Sequence, residues 1–140
     1  YYKKFTKGHN VKVIFNQTYD VLKNSNAAIV TSGTATLEAA LFNVPQVVCY
    51  RAGNLSYLVA RLIVKLDYIS LVNLIMDKQV VRELIQFDMN TKIIKKELDK
   101  ILFEKKHQTK MLTDYAKLRE VLGGTGASER VASLIYNYLQ

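Results

Sequence analysis

A single cysteine, Cys49, is all this chain has, so no disulfide can form within it and a reducing compartment is the expectation. Proline is as scarce, with Pro45 alone, and glycine occurs only six times, which excludes a proline-rich linker or a glycine-rich disordered tract. No apolar run is long enough to cross a bilayer. The opening Tyr1-Tyr-Lys-Lys4 carries neither Met nor a secretory leader pattern, so the sequence is expected to be a piece of a longer protein. The two histidines, His9 and His107, sit in no motif; with one cysteine they make no credible metal site, and both are expected on the surface. Also missing are the Gly-Lys-Ser/Thr ending of a Walker A loop and the GxGxxG dinucleotide fingerprint.

What is present describes a folded, basic domain. Hydrophobic residues make up 49% of 140, enough for one domain with a real core. The formal net charge is +8, with Lys3, Lys4, Lys7 and Lys12 preceding any acidic residue and Arg51, Arg61 and Lys65 forming a second acid-free stretch. Such a field attracts nucleic acid, anionic lipid or phosphorylated substrates. The lysine-rich stretch from Lys92 to Lys110 is interleaved with Glu97, Asp99 and Glu104, and reads as a solvated helix face.

Periodicity alternates strand and helix over the first two-thirds. Val11–Phe15 is predicted as a β-branched strand and Thr18–Asn24 as a short helix with Val21 and Leu22 inward. Ala27–Thr31 reads as a strand buried on both faces, Gly33–Asn43 as a helix, and Pro45 stops it before the strand Gln46–Tyr50. Leu55, Leu58, Val59, Leu62, Ile63 and Leu66 follow at helical spacing, with Arg61 and Lys65 on the other face; this helix packs on the core or lies on a membrane surface. Tyr68–Ile75 is predicted as strand-like and Lys78–Gln86 as a short helix holding Arg82, Glu83 and Gln86. Asn90 caps a long helix through Val121, with a break expected near His107–Lys110, and Gly123-Gly124 ends it. Thr125 or Ser128 then starts a terminal helix with Val131, Leu134, Ile135 and Tyr138 buried. The expectation is an α/β, Rossmann-like, doubly wound parallel sheet with a long helical C-terminal extension.

The stretch Ala27-Ala-Ile-Val-Thr-Ser-Gly-Thr-Ala-Thr-Leu-Glu38 carries the chemistry. A strand, a turn at Gly33 and a helix opening on small hydroxylated residues aim free N–H groups and a positive dipole end at one point, where an anion can sit. Glu38 lies close enough along the helix to accept from a sugar hydroxyl beside that anion. A plain helix cap is the competing explanation, although the capping box fails because position 35 is Ala. Residue spacing alone leaves both open. In parallel sheets ligands bind beyond the carboxyl ends of the strands, where Ser32-Gly33-Thr34 falls.

With the segments placed, the chain resembles the lipid-A-disaccharide synthases, inverting glycosyltransferases of the two-Rossmann-domain (GT-B) fold. The resemblance rests on ordered blocks: Thr31-Ser-Gly-Thr-Ala-Thr-Leu-Glu38, Pro45-Gln-Val-Val-Cys-Tyr-Arg51, Tyr68-Ile-Ser-Leu-Val-Asn-Leu-Ile75, Val81-Arg-Glu-Leu-Ile-Gln86 and Gly126-Ala-Ser128. It implies that residues 1–140 form part of the C-terminal, UDP-sugar-binding domain, with an α/β core over about 10–86 and a helical part over about 90–140, the N-terminal acceptor domain lying outside this sequence. The implied reaction transfers 2,3-diacylglucosamine from its UDP donor to 2,3-diacylglucosamine 1-phosphate, giving lipid A disaccharide 1-phosphate and UDP. Ser32, Gly33 and Thr34 would hold the donor phosphates and Glu38 the ribose, Thr36 would also belong to the donor UDP-sugar site, and Asn73, Glu83 and Gln86 would line the same cleft. Arg51 and Arg82 are further candidates for phosphate contact. The family usually reads Ser-Leu-Pro-Asn where this chain has Ser70-Leu-Val-Asn73, which loosens the backbone before Asn73.

Inversion needs a base for the acceptor hydroxyl and stabilisation of the departing diphosphate. Only the second is offered by these residues; the general base is expected in the N-terminal domain. No Asp-x-Asp motif occurs, so donor activation without a divalent ion, and without any cofactor, is expected. The resemblance further implies work at the cytoplasmic face of the inner membrane of a Gram-negative bacterium, without nucleic acid, and is compatible with a homodimer. The alternatives are another GT-B UDP-sugar enzyme, such as a cell-wall glycosyltransferase or a UDP-sugar 2-epimerase, or a non-catalytic basic binding module.

Overall fold

The computed structural model describes residues 3–31, 33–53 and 67–140. The amphipathic helix predicted over Leu55–Leu66 lies outside them. A short α1 (Lys3–Thr6) and α2 (Thr18–Lys23) precede β1 (Ala28–Val30), α3 (Thr34–Leu41) and β2 (Gln46–Tyr50). Then come α4 (Leu71–Met76), β3 (Arg82–Ile85), a single 3₁₀ turn (Gln86–Asp88), α5 (Thr91–Phe103), α6 (Lys105–Val121) and α7 (Ala127–Tyr138). The three strands form one parallel sheet in the order β1-β2-β3. Val30 lies opposite Val48, and Tyr50 opposite Ile85, so the carboxyl ends of the strands meet along one edge. The fold is α/β and Rossmann-like.

Burial explains the sheet. Val47, Val48, Val81 and Leu84 have no exposed surface and share one cluster with Ala40, Val72, Ile101, Met111, Tyr115 and Leu118. Helices α3 and α4 pack against each other and both pack on α6, while α5 lies against β2 and α6. Lys78 in the turn before β3 donates to Asp114 of α6, pinning that turn to the helix layer. Burial pushes the Cys49 thiol pKa up and keeps it protonated. Among the described residues no helix is long and apolar enough to cross a membrane.

Several elements differ from their sequence-based expectation, each for a physical reason. Val11–Phe15 forms no strand, because a strand exists only with a ladder and β1 pairs with β2 alone among the described residues; Val11 is 58% exposed. Tyr68–Ile75 is not strand-like: Ser70 caps α4, its side chain accepting from the Asn73 N–H, and a short apolar run cannot distinguish a buried strand from a buried helix. Arg82–Ile85 is a strand rather than part of a helix, since pairing with Val47–Tyr50 overrides the helix propensity of Arg, Glu and Leu. The break in the long helix falls at Glu104, not His107–Lys110.

The terminal helix exists, capped by backbone at Gly126 rather than by Thr125 or Ser128. None of its residues is buried, contrary to the inward stripe of Val131, Leu134, Ile135 and Tyr138, because no described element lies against it. Similarly, Leu22 of α2 packs on the small cluster of Val30, Ala39 and Val44, whereas Val21 stays 39% exposed. His9 is exposed as expected, but His107 is half-buried.

Candidate functional site

At the carboxyl edge of the sheet, the chain leaves β1 and enters α3 through Gly33, whose φ of 121° and ψ of −160° belong to backbone that only glycine adopts readily. Among the described residues no side chain caps α3. Thr36 turns inward instead: its hydroxyl donates to the Gly33 carbonyl at 2.8 Å and its N–H to the same oxygen at 3.2 Å. In a trans peptide plane the carbonyl and the following N–H point opposite ways, so anchoring the Gly33 carbonyl against α3 turns the Thr34 N–H away from the helix. That leaves a positive helix end facing outward with its first turn uncapped. Ser32 lies outside the described residues, Thr34 is exposed, and Thr36 is fully buried behind the turn.

Glu38, one turn along α3, is half-buried and faces α2. It lines a groove of about 500 Å³ with Asn16, Gln17, Thr18, Tyr19, Asp20 and Lys23, and an adjoining groove of about 510 Å³ that reaches β1 and Ala35. Its carboxylate enters no ion pair or hydrogen bond among the described residues. Asn16 holds its backbone at φ 57°, so the mouth of the groove is built on a left-handed turn that Asn tolerates.

The second polar block has a different arrangement. Asn73 is fully buried and its side chain makes four hydrogen bonds: Oδ1 accepts from the N–H groups of Val80 (2.8 Å) and Val81 (2.9 Å), and Nδ2 donates to the Val81 carbonyl and to Glu83 Oε1, both at 2.9 Å. Glu83 Oε1 also accepts from the Ser70 N–H (2.9 Å) and hydroxyl (2.7 Å), while Oε2 accepts from the Ile69 N–H at 3.0 Å. Asn73 and Glu83 therefore meet, and with Ser70 they lock α4 onto β3. They line a small cavity of about 150 Å³ with Asp67, Tyr68, Gln79, Arg82 and Ile85, separate from the grooves at Glu38.

Gln86 ends β3 with φ 53°, buried, its Oε1 accepting from the Ala52 N–H at 2.9 Å and its Nε2 donating to the Ala52 carbonyl at 3.2 Å. This two-point clamp ties the loop after β2 to the turn after β3, at the same edge as Gly33. Arg51 is exposed at the end of β2. Arg82 points to Asp88 at 3.7 Å with both side chains about half exposed, a pair that stabilises by less than about 1 kcal/mol. Sequence reasoning does not single out Gln46 or Tyr115, two polar residues buried behind the turn; the one signal is a polar residue opening an otherwise apolar strand.

A family model described as lipid-A-disaccharide synthetase matches residues 1–135. The chain belongs to the lipid-A-disaccharide synthetase family. Among curated relatives, the lipid-A-disaccharide synthase of Syntrophus aciditrophicus is 41% identical over 122 residues, covering 87% of this chain and 32% of the relative. That of Geobacter sulfurreducens is 36% identical over 132 residues (94% and 34%), and that of Nitrosococcus oceani 37% over 138 (97% and 35%). The chain spans about a third of the length of these relatives. Within this member of the family, Val72 stands where the usual pattern has Pro. It is fully buried in the first turn of α4, and Asn73 beside it is held by the Ser70 cap and its four side-chain bonds, so its placement does not depend on a proline.

Proposed function

We propose that this chain is the donor-binding part of a lipid-A-disaccharide synthase, a glycosyltransferase that moves 2,3-diacylglucosamine from UDP to 2,3-diacylglucosamine 1-phosphate. The observation that carries this reading is the uncapped turn at Gly33 with Glu38 one helical turn beyond it, in a chain of this family. Backbone N–H groups at Gly33 and Thr34, with Ser32, hold the diphosphate; they are uncharged, fixed before the substrate arrives, and stabilise the charge that builds as UDP departs. The free carboxylate of Glu38 accepts from the ribose hydroxyls. Thr36 acts from behind the turn, through the Gly33 carbonyl. Asn73 and Glu83 set the wall formed by α4 and β3, and Gln86 sets the loop at Ala52. Arg51, exposed at the end of β2, and Arg82 supply positive charge around the diphosphate.

In this reading the residues form an α/β core over about 10–86 with a helical part over about 90–140, and the acceptor site and general base belong to the part of the protein represented by the rest of the relatives' length. Acylated substrates place the whole enzyme on the cytoplasmic face of the inner membrane. The test is UDP binding by the 140-residue chain, measured by calorimetry with and without chelator. UDP should bind, chelator should leave the affinity unchanged, and Glu38→Ala should weaken it about tenfold, the loss of a charge-assisted hydrogen bond, with an unchanged melting temperature. Equal affinity for UDP and unrelated nucleotides, falling steeply with salt, would mean a general polyanion binder instead. The chain alone is expected not to form disaccharide when given both sugar substrates; product from it would place the base within these residues.

A further inference from the structure

A buried hydrogen-bonded chain leads from α6 to the Gly33 turn. Gln46 opens β2 with no exposed surface; its Nε2 donates to the Thr36 carbonyl at 2.9 Å and to the Tyr115 hydroxyl at 3.2 Å. Its Oε1 has no partner among the described residues. A buried amide with an orphaned oxygen costs stability that an aliphatic side chain of similar size would not cost. Core packing alone therefore does not account for Gln46. Tyr115 is 1% exposed, and burial raises its pKa, so the hydroxyl stays protonated. What these two polar groups do is join α6 to α3 through Gln46 of β2, which reaches the Tyr115 hydroxyl on one side and the Thr36 carbonyl on the other. Thr36 is the residue whose hydroxyl and N–H hold the Gly33 carbonyl, and that carbonyl sets the direction of the Thr34 N–H.

We infer that Gln46 and Tyr115 are positioning residues for the phosphate-binding turn, holding Thr36 so that the Thr34 N–H faces the ligand. This rests on the donor-site reading of the Gly33 turn. Neither side chain touches the donor; both act through Thr36. The buried amide is retained because a fixed N–H direction requires a fixed carbonyl, which apolar packing sets poorly and a directional hydrogen bond sets well.

The test uses Tyr115→Phe, which removes one hydroxyl and keeps the ring, Gln46→Leu, and the double variant, each in the whole 140-residue chain. Amide NMR reads the Thr34 resonance, and UDP titration reads affinity. In both single variants the Thr34 resonance should shift while most others stay, and UDP affinity should fall about three- to tenfold. The double variant should bind no worse than Gln46→Leu alone, because the two residues act along one path. A Thr34 resonance that stays put with UDP affinity unchanged, or losses that multiply in the double variant, would overturn the inference. If Gln46→Leu does not fold, Tyr115→Phe decides by itself. If the wild-type chain does not bind UDP, the donor reading falls, and the Thr34 resonance without nucleotide still decides whether Gln46 and Tyr115 set the turn.

Discussion

Replacing Gly33 by Ala should abolish measurable UDP binding and lower stability by about 1–3 kcal/mol, the cost of forcing an L-residue into backbone reserved for glycine. Among the described residues nothing lies within 4 Å of a Cβ added at Gly33, so the expected cost is not a clash with them. The cost comes from φ at 121° and ψ at −160°. An alanine there must either hold that strain or rotate the 33–34 peptide. Rotation releases the Gly33 carbonyl from the Thr36 hydroxyl and turns the Thr34 N–H off its line. Urea unfolding and calorimetry separate the two components. A variant whose Thr34 amide resonance has moved yet binds UDP normally would show that the N–H direction at this turn is irrelevant to the ligand. Normal binding with that resonance in place would mean that the alanine holds the strain.

Replacing Asn73 should cost more. Asn73→Ala leaves the buried N–H groups of Val80 and Val81 without their acceptor and removes a donor from Glu83. At about 1–3 kcal/mol for each unsatisfied buried group, and with some relaxation, a loss of about 3–5 kcal/mol is expected. That is a large share of the ~5–15 kcal/mol that holds a typical domain together. Asn73→Asp is the sharper version. It keeps the acceptor for Val80 and Val81 but sets a second carboxylate where Nδ2 now lies 2.9 Å from Glu83 Oε1. Two carboxylates that close cannot both ionise cheaply, so the folded pair holds a proton more tightly than the unfolded chain does.

Because the folded state of this variant binds more protons, Asn73→Asp should gain stability relative to wild type as pH falls through the carboxylate range, and lose it as pH rises. Chemical unfolding at a series of pH values reads this directly. A pH-independent difference between Asn73→Asp and wild type would mean that the introduced carboxylate does not face Glu83.

Local chemistry and long-range packing contribute differently to what can be read beforehand. The stretch from Ala27 to Tyr50 is legible because each signal is local: a continuous apolar run, a glycine at a turn, a proline that ends a helix, and a β-branched run after it. The family reading is legible for the same reason, since it rests on short ordered blocks. Asn90 as a helix cap and Gly123-Gly124 as a stop are likewise properties of a few adjacent residues.

Tertiary structure decided the rest. Arg82–Ile85 carries helix-forming residues and became a strand only because β2 offered it a ladder, a partner more than thirty positions away. Val11–Phe15 carries strand-forming residues and stayed irregular because β1 pairs with β2 alone among the described residues. Glu83 and Gln86, read as neighbours on one helix face, are separated by that strand into different tasks, one locking α4 and the other clamping Ala52. The link from Tyr115 through Gln46 to Thr36 spans sixty-nine positions at its longest step. Sequence by itself determined where the glycine turn between β1 and α3 falls, because backbone preference acts within a few residues. The partners that buried amides and carboxylates find were settled only by the fold, because hydrogen bonds in a core join whatever the packing brings within about 3 Å.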